Sequence, residues 1–202
     1  MYFVKSPKIF DLLYTDLIWR MDNAEKKLYL TFDDGPDKLV TPELLDILDQ
    51  FKAKATFFCV GKKTEKHPEI VQQIVASGHT IGNHTFEHLK GKKVSTSTFV
   101  EDVAKCNKHL NSNLFRPPYG SIKKSQINNL IEQYKIYMWT ILPGDFDTRV
   151  SKEKCLQRSI QYTTSGTIIV YHDSKKTRDK VLYTVPKYIE HFQKLGYTFE
   201  AL

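Results

Sequence analysis

The chain has 202 residues, 41% of them hydrophobic and 26% charged, with a formal net charge of +7. That length supports one domain with a substantial core and is short for two, and the composition excludes a disordered, collagenous or coiled-coil chain. The basic surplus is scattered, with neither zinc-finger spacing nor the aromatic signature of an RNA-binding sheet, so a solvated basic surface and no nucleic-acid partner are expected.

A leader, residues 1–26, has amphipathic character in Ile9, Leu12, Leu13, Leu17, Ile18 and Trp19. The first strand is expected over 27–32, followed by a helix with Thr41 as N-cap, Pro42 at its first position and a stripe of Leu44, Leu45, Leu48 and Phe51. Residues 55–60 form a nearly continuous apolar run, the pattern of a strand covered on both faces. A helix carrying Ile70, Val71, Ile74 and Val75 stops at Gly78, a residue suited to the left-handed C′ position. A short strand over 80–83 leads to a helix over 98–110 with Phe99, Val103, Cys106 and Leu110 on one face. A brief strand at 113–115 and a helix with Ile127, Leu130, Ile131 and Tyr134 come next. A strand over 136–140 then precedes a helix over 151–163 with Leu156 and Ile160. Strand 167–171, a last helix with Val185, Ile189 and Phe192 ending near Gly196, and a strand at 197–199 close the chain.

Strand and helix alternate about seven times with no internal linker or repeat, which implies a parallel sheet. Reactive residues follow several different strands: Asp33 and Asp34, then His84 and His88, Arg116, Asp145, and His172. A (β/α) barrel gathers such residues at one face, whereas an open sheet concentrates them at one switch point. The expected fold is α/β, a distorted TIM-barrel-like (β/α) barrel of about seven parallel strands, forming a single domain over residues 1–202.

Asp33 and Asp34 sit in Thr31-Phe32-Asp33-Asp34-Gly35-Pro36-Asp37. In extended chain the two carboxylates point opposite ways, so one can face a metal and the other a substrate; a solvated turn is the alternative. His84-Thr85-Phe86-Glu87-His88 places two histidines at i and i+4, and on one helical face they can grip a divalent ion. With an aspartate they form a set that leaves positions open for water and substrate. Arg116, in Phe115-Arg116-Pro117-Pro118-Tyr119-Gly120, could clamp a carboxylate bidentately. His172 ends the apolar run Ile168-Ile169-Val170-Tyr171, where an imidazole serves as general acid or base or as a satisfied core residue. His67, His79, His109 and His191 read as structural.

These segments together resemble the polysaccharide deacetylase family (carbohydrate esterase family 4, the NodB-like homology domain) over about residues 27–202. The motifs run in order: T-F-D-D-G at 31–35, H-[ST]-x-x-H at 84–88, R-x-P-Y at 116–119, a fourth at 139–146 and hydrophobic-x-hydrophobic-x-H at 168–172. The resemblance implies a hydrolase removing N-acetyl groups from N-acetylglucosamine-containing glycans of peptidoglycan or chitin type. It implies Asp34, His84 and His88 as ligands of one divalent metal, zinc in most of the family, with cobalt or nickel as substitutes. It further implies Asp33 as general base held by Arg116, the Tyr119 N–H as oxyanion donor, and His172 as general acid oriented by Asp145. Departures lie in the fourth motif, Trp139-Thr140-Ile141-Leu142-Pro143-Gly144-Asp145-Phe146, where Leu142 replaces an acid and Phe146 a tryptophan. The alternatives are an O-acetyl esterase acting on xylan or another glycan, and a silent glycan-binding domain, for which the intact Asp33 and metal set argue poorly.

Cys59, Cys106 and Cys155 are odd in number and widely spaced, as expected of reduced core thiols. Residues 1–15 contain Lys5, Lys8 and Asp11 without a clean apolar segment, and no run approaches the roughly 18 apolar residues of a membrane span. Neither a signal peptide nor a transmembrane helix is therefore expected, which points to a cytoplasmic protein with action at the envelope left open.

Overall fold

The computed structural model describes residues 2–21 and 25–202. At its centre β1 (Lys27–Asp33) is buried from Leu28 onward and lies between β2 (Ala55–Cys59) and β6 (Ile168–His172). Beyond β2 come β3 (Thr80–Asn83), β4 (Leu114–Phe115) and β5 (Lys135–Ile136), giving the order β5-β4-β3-β2-β1-β6, and β7 (Thr198–Phe199) pairs with the start of β1. Every strand pair is parallel. The sheet curls into the expected distorted (β/α) barrel, with helices around it.

The distortion has a local cause. The strand expected over 136–140 shortens to β5, because the residues after it share their backbone groups among several partners. Tyr137 donates to Phe115, Met138 to Ile18 and Thr140 to Ile168. Ile18, from the leader, bridges Tyr137, and Ile141 bridges Ile169. A ladder needs one partner strand, and here the leader is wedged in.

Period-2 alternation sorts the strands into two faces. Leu28, Leu30, Phe32, Phe57, Cys59, Ile169 and Tyr171 enter the outer core beneath the helices. Tyr29, Phe58 and Ile168 form an inner cluster with Tyr137. The same phase carries Thr31, Asp33, Val170 and His172 to the interior.

The helices are α1 (Ile9–Leu13), α2 (Val40–Gln50), α3 (Gly61–Lys66), α4 (Pro68–Ala76), α5 (Thr96–Leu110), α6 (Lys124–Leu130), α7 (Lys152–Tyr162) and α8 (Arg178–Lys194). Helix α3 is invisible to pattern reading, since Gly-Lys-Lys-Thr-Glu-Lys has no apolar stripe. Thr41 is not the N-cap of α2: the helix begins at Val40, Asp37 Oδ1 accepts from the amides of Leu39 and Val40, and the Thr41 hydroxyl donates inward to Asp173. Gly78 follows the cap of α4 with a positive φ of 74°, as anticipated. The buried face of α7 is rotated by one residue, so Cys155 and Ser159 are buried while Leu156 and Ile160 are only partly so. Val75 and Ile131 turn outward, the second because α6 has already ended at Leu130.

The leader divides. Leu17 and Trp19 are buried with Phe99, Val103, Phe115, Ile127 and Leu130 in a second cluster, whereas Ile9, Leu12 and Leu13 on α1 are exposed. All three cysteines are buried and free. Among the described residues, no helix is long and apolar enough to cross a membrane.

Candidate active site

Asp33, Asp34, His84, His88, Tyr119 and His172 converge on one cavity of about 340 Å³ at the carboxyl ends of the strands. Tyr2, Trp139, Leu142, Phe146 and Val170 complete its lining. Asp33 is the last residue of β1 and lies in register with His172, the last of β6.

The adjacent aspartates part, but not as two residues of extended chain: Asp33 ends β1 and Asp34 turns off it with a left-handed φ of 77°. Asp33 turns to Arg116, whose Nη1 donates to its Oδ1 at 2.7 Å. That guanidinium is fully buried. It also donates to Thr31 Oγ1 and to the carbonyls of Tyr137 and Met138, and its carbon lies 4.1 Å from the Phe58 ring centroid. The clamp on Asp33 is therefore single rather than bidentate, because Nε and Nη2 are directed to main-chain carbonyls inside the barrel. Burial pulls the guanidinium below its ordinary pKa, opposed by the charge and hydrogen bond of Asp33.

Asp34 faces the histidines: its Oδ1 is 3.0 Å from His88 Nε2 and 3.7 Å from His84 Nε2. One ligand atom from each of Asp34, His84 and His88 lies within 4.8 Å of the others. His84 Nδ1 is 2.8 Å from the Arg116 carbonyl, an acceptor, so Nδ1 carries the proton and Nε2 presents its lone pair. Burial pushes the His84 pKa down to about 4, against the opposing charges of Asp33 and Asp34, so the ring is neutral as a ligand must be. For Asp34, burial works against ionisation, but the His88 hydrogen bond and the charges of His172, His84 and His88 hold its carboxyl well below the usual range. A neutral His84 ring with its Nε2 lone pair free, an ionised Asp34 carboxylate and a second imidazole nitrogen within 4.8 Å fit a divalent cation.

The histidine segment is not the helical turn expected. Residues 84–88 are irregular, with Thr85 and His88 at φ of 61° and 58°. Neighbouring elements impose this shape. The amides of Gly61 and Lys62, opening α3, donate to the carbonyls of Thr85 and Phe86. Asp102 on α5 accepts from the amides of Phe86 and Glu87 at 2.8 and 3.0 Å, and Asn83 Oδ1 accepts from Thr85. Asp102 escaped the sequence reading, although a carboxylate on the apolar stripe between Phe99 and Cys106 was a visible signal.

His172 Nδ1 is 3.0 Å from Asp145 Oδ1, and Asp145 Oδ2 accepts the His172 backbone amide at 2.7 Å. Burial, the largest influence, lowers the pKa of the ring. The charge and hydrogen bond of Asp145, joined by the charges of Asp34 and Asp33, reverse it and lift the pKa to about 9. A buried imidazolium with Nδ1 occupied offers the proton on Nε2.

Asp173 supports the turn after Asp34. Its Oδ2 accepts from Thr41 at 2.6 Å, Oδ1 has no partner, and burial raises the carboxyl to about 7. A Cβ on Gly35 would fall 1.9 Å from Oδ2, so only glycine fits there. His67, His79, His109 and His191 do not line the cavity. His79 is a buried acceptor for the Ala55 amide, pushed down to about 4 by burial and Lys54.

Residues 20–139 match the family model for polysaccharide deacetylase. The chain is 33% identical over 189 residues to a peptidoglycan-N-acetylglucosamine deacetylase of Bacillus cereus, covering 90% of this chain and 88% of that protein. It is 31% identical over 178 residues to a chitooligosaccharide deacetylase of Azorhizobium caulinodans, covering 82% of each. Among solved structures, it is similar to the Bc1960 peptidoglycan N-acetylglucosamine deacetylase in complex with 4-naphthalen-1-yl-N-oxidanyl-benzamide. The TM-score is 0.90 at 30% identity, covering 98% of this chain and 95% of that one.

Proposed function

This chain belongs to the polysaccharide deacetylase family, and from that premise we propose that it removes N-acetyl groups from N-acetylglucosamine-containing poly- or oligosaccharides by metal-dependent hydrolysis. One observation carries the reading. A three-residue metal-ligand cluster shares a cavity with a carboxylate braced by a buried arginine and an imidazole braced by a buried carboxylate.

Asp34, His84 and His88 would hold the ion, and zinc is the metal proposed, since two imidazoles and a carboxylate suit it and leave positions free. A divalent ion there supplies Lewis acidity, polarising the amide carbonyl and making water more acidic. Asp33, immobilised by Arg116, takes a proton from the water whose oxygen attacks the acetyl carbon. The Tyr119 N–H is the proposed donor to the carbonyl oxygen as it gains charge. His172 gives its Nε2 proton to the nitrogen as the C–N bond breaks, releasing acetate and a free sugar amine. Asp145 keeps that ring protonated and aimed.

The reading is tested by acetate release from tetraacetylchitotetraose, peptidoglycan and O-acetylated xylan, with apo-protein reconstituted by zinc, cobalt or nickel. Release from the N-acetyl substrates, restored by metal, is expected. Release from xylan alone would replace the reading with an O-acetyl esterase, and release from none with a glycan-binding protein.

A further inference from the structure

Tyr2 stands 25 residues ahead of β1 in sequence yet lines the catalytic cavity. The segment behind it is laid along the fourth motif: Ser6 donates to Trp139 and Thr140 carbonyls, Lys5 forms an antiparallel bridge with Ile141, and Leu142 donates to Val4. Arg158 Nη1 reaches the Tyr2 hydroxyl at 3.2 Å while also donating to the Pro143 carbonyl. A Cβ on Gly144 would lie 2.1 Å from that hydroxyl, and Gly144 has a φ of 95°. The loop is thus shaped to admit the phenol.

From this anchor an aromatic row leads inward. The Tyr2 ring is 5.1 Å from Phe146, and Phe146 meets His172 edge-on at 5.2 Å. If His172 protonates the departing nitrogen, the sugar bearing that nitrogen lies on the same side. The wall it meets there is Phe146 continued by Tyr2. Flat aromatic faces pack well against the C–H face of a pyranose, and the ring here is pinned in advance, which lowers the ordering cost of binding.

We propose that Tyr2 is a specificity-determining residue: with Phe146 it forms the aromatic wall that binds a pyranose ring of the glycan on the leaving-group side. This rests on the reading of His172 as the acid, and it gives the N-terminal segment a role in substrate choice.

The test compares wild type, Tyr2→Ala and Tyr2→Phe, each with full metal content, on two substrates. One is tetraacetylchitotetraose; the other is trifluoroethyl acetate, whose leaving group has no ring. Tyr2→Ala should raise KM for the tetramer about tenfold with kcat within about twofold, and lower kcat/KM for trifluoroethyl acetate by no more than about twofold. Tyr2→Phe keeps the ring, loses the Arg158 anchor, and should raise KM by about twofold. Equal losses on both substrates, or an unchanged KM for the tetramer, would overturn the proposal. Calorimetric titration with the deacetylated tetramer separates it from the parent reading. If wild type hydrolyses nothing but binds that glycan about tenfold more tightly than Tyr2→Ala, the wall stands and the deacetylase reading falls. If neither protein binds it, the wall falls too.

Discussion

Two neighbouring aspartates face different surroundings because backbone geometry separates them. Asp33 meets a buried guanidinium and Asp34 meets two imidazoles, so the same side chain is set in two electrostatic environments one residue apart. The Asp145–His172 pair follows a related logic: burial alone would discharge the imidazole, and the carboxylate beside it reverses that sign. With His172 as the proposed acid, the raised pKa means that the protonated ring persists through neutral pH and that turnover should decline as pH rises through it. Replacing Asp145 by Asn removes the main raising influence and leaves burial in command. The alkaline limb of kcat should therefore move down by roughly 1–3 pH units, read from pH–rate profiles on the tetramer. A cation at Asp34 lowers both profiles alike and leaves the direction of the difference intact. An unmoved limb would show that another group sets it.

The segment bearing the proposed metal ligands His84 and His88 shows how secondary elements shape a site that is itself irregular. Left-handed backbone at Asp34, Thr85 and His88 costs about 1–3 kcal/mol at each such position and persists only where the surroundings insist on it. Here α3 supplies amide donors to the segment and α5 supplies Asp102 as an acceptor. Asp102→Ala strands the amides of Phe86 and Glu87 and loosens His84 and His88. Metal affinity should fall about 10–100-fold, the usual effect of losing a support behind the ligands, while α5 keeps its apolar face of Phe99, Val103, Cys106 and Leu110. Zinc titration of the apo-variant reads this directly, and unchanged affinity would mean that the segment holds its shape without α5.

Across the whole molecule, the leader is part of the barrel's construction. Ile18 takes backbone bonds beside β5, Trp19 accepts from Thr140, and Leu17 and Trp19 fill the cluster under α5 and α6. Trp19→Ala should therefore lower the stability of the entire fold by about 3 kcal/mol, the low end for deleting a buried indole. The Trp19 N–H is buried without a partner, so its removal offsets part of the lost packing. Urea unfolding followed by far-ultraviolet dichroism should show one transition at a lower midpoint. An unshifted midpoint, or a separate early transition, would show that the leader folds apart from the barrel.

What the residues determined alone is the local chemistry and its order along the chain. Alternation of apolar runs and helical stripes implied a parallel α/β barrel, and polar residues just past the strands implied one shared site, since both follow from periods that short stretches display. Tertiary packing decided the rest. The histidine segment is a loop because α3 and α5 bond its backbone, whereas i, i+4 spacing is equally compatible with a helix. The buried side of α7 carries Cys155 and Ser159, where the Ser159 hydroxyl accepts from Tyr171 on β6, a partner more than ten residues away in sequence. Arg116 grips Asp33 through one nitrogen because its Nε and Nη2 are drawn to the Tyr137 and Met138 carbonyls. Tyr2 had no signal in its neighbourhood at all. Its place in the cavity depends on a loop more than 130 residues away having kept a glycine at Gly144, and contacts of that range exist only once the barrel has closed.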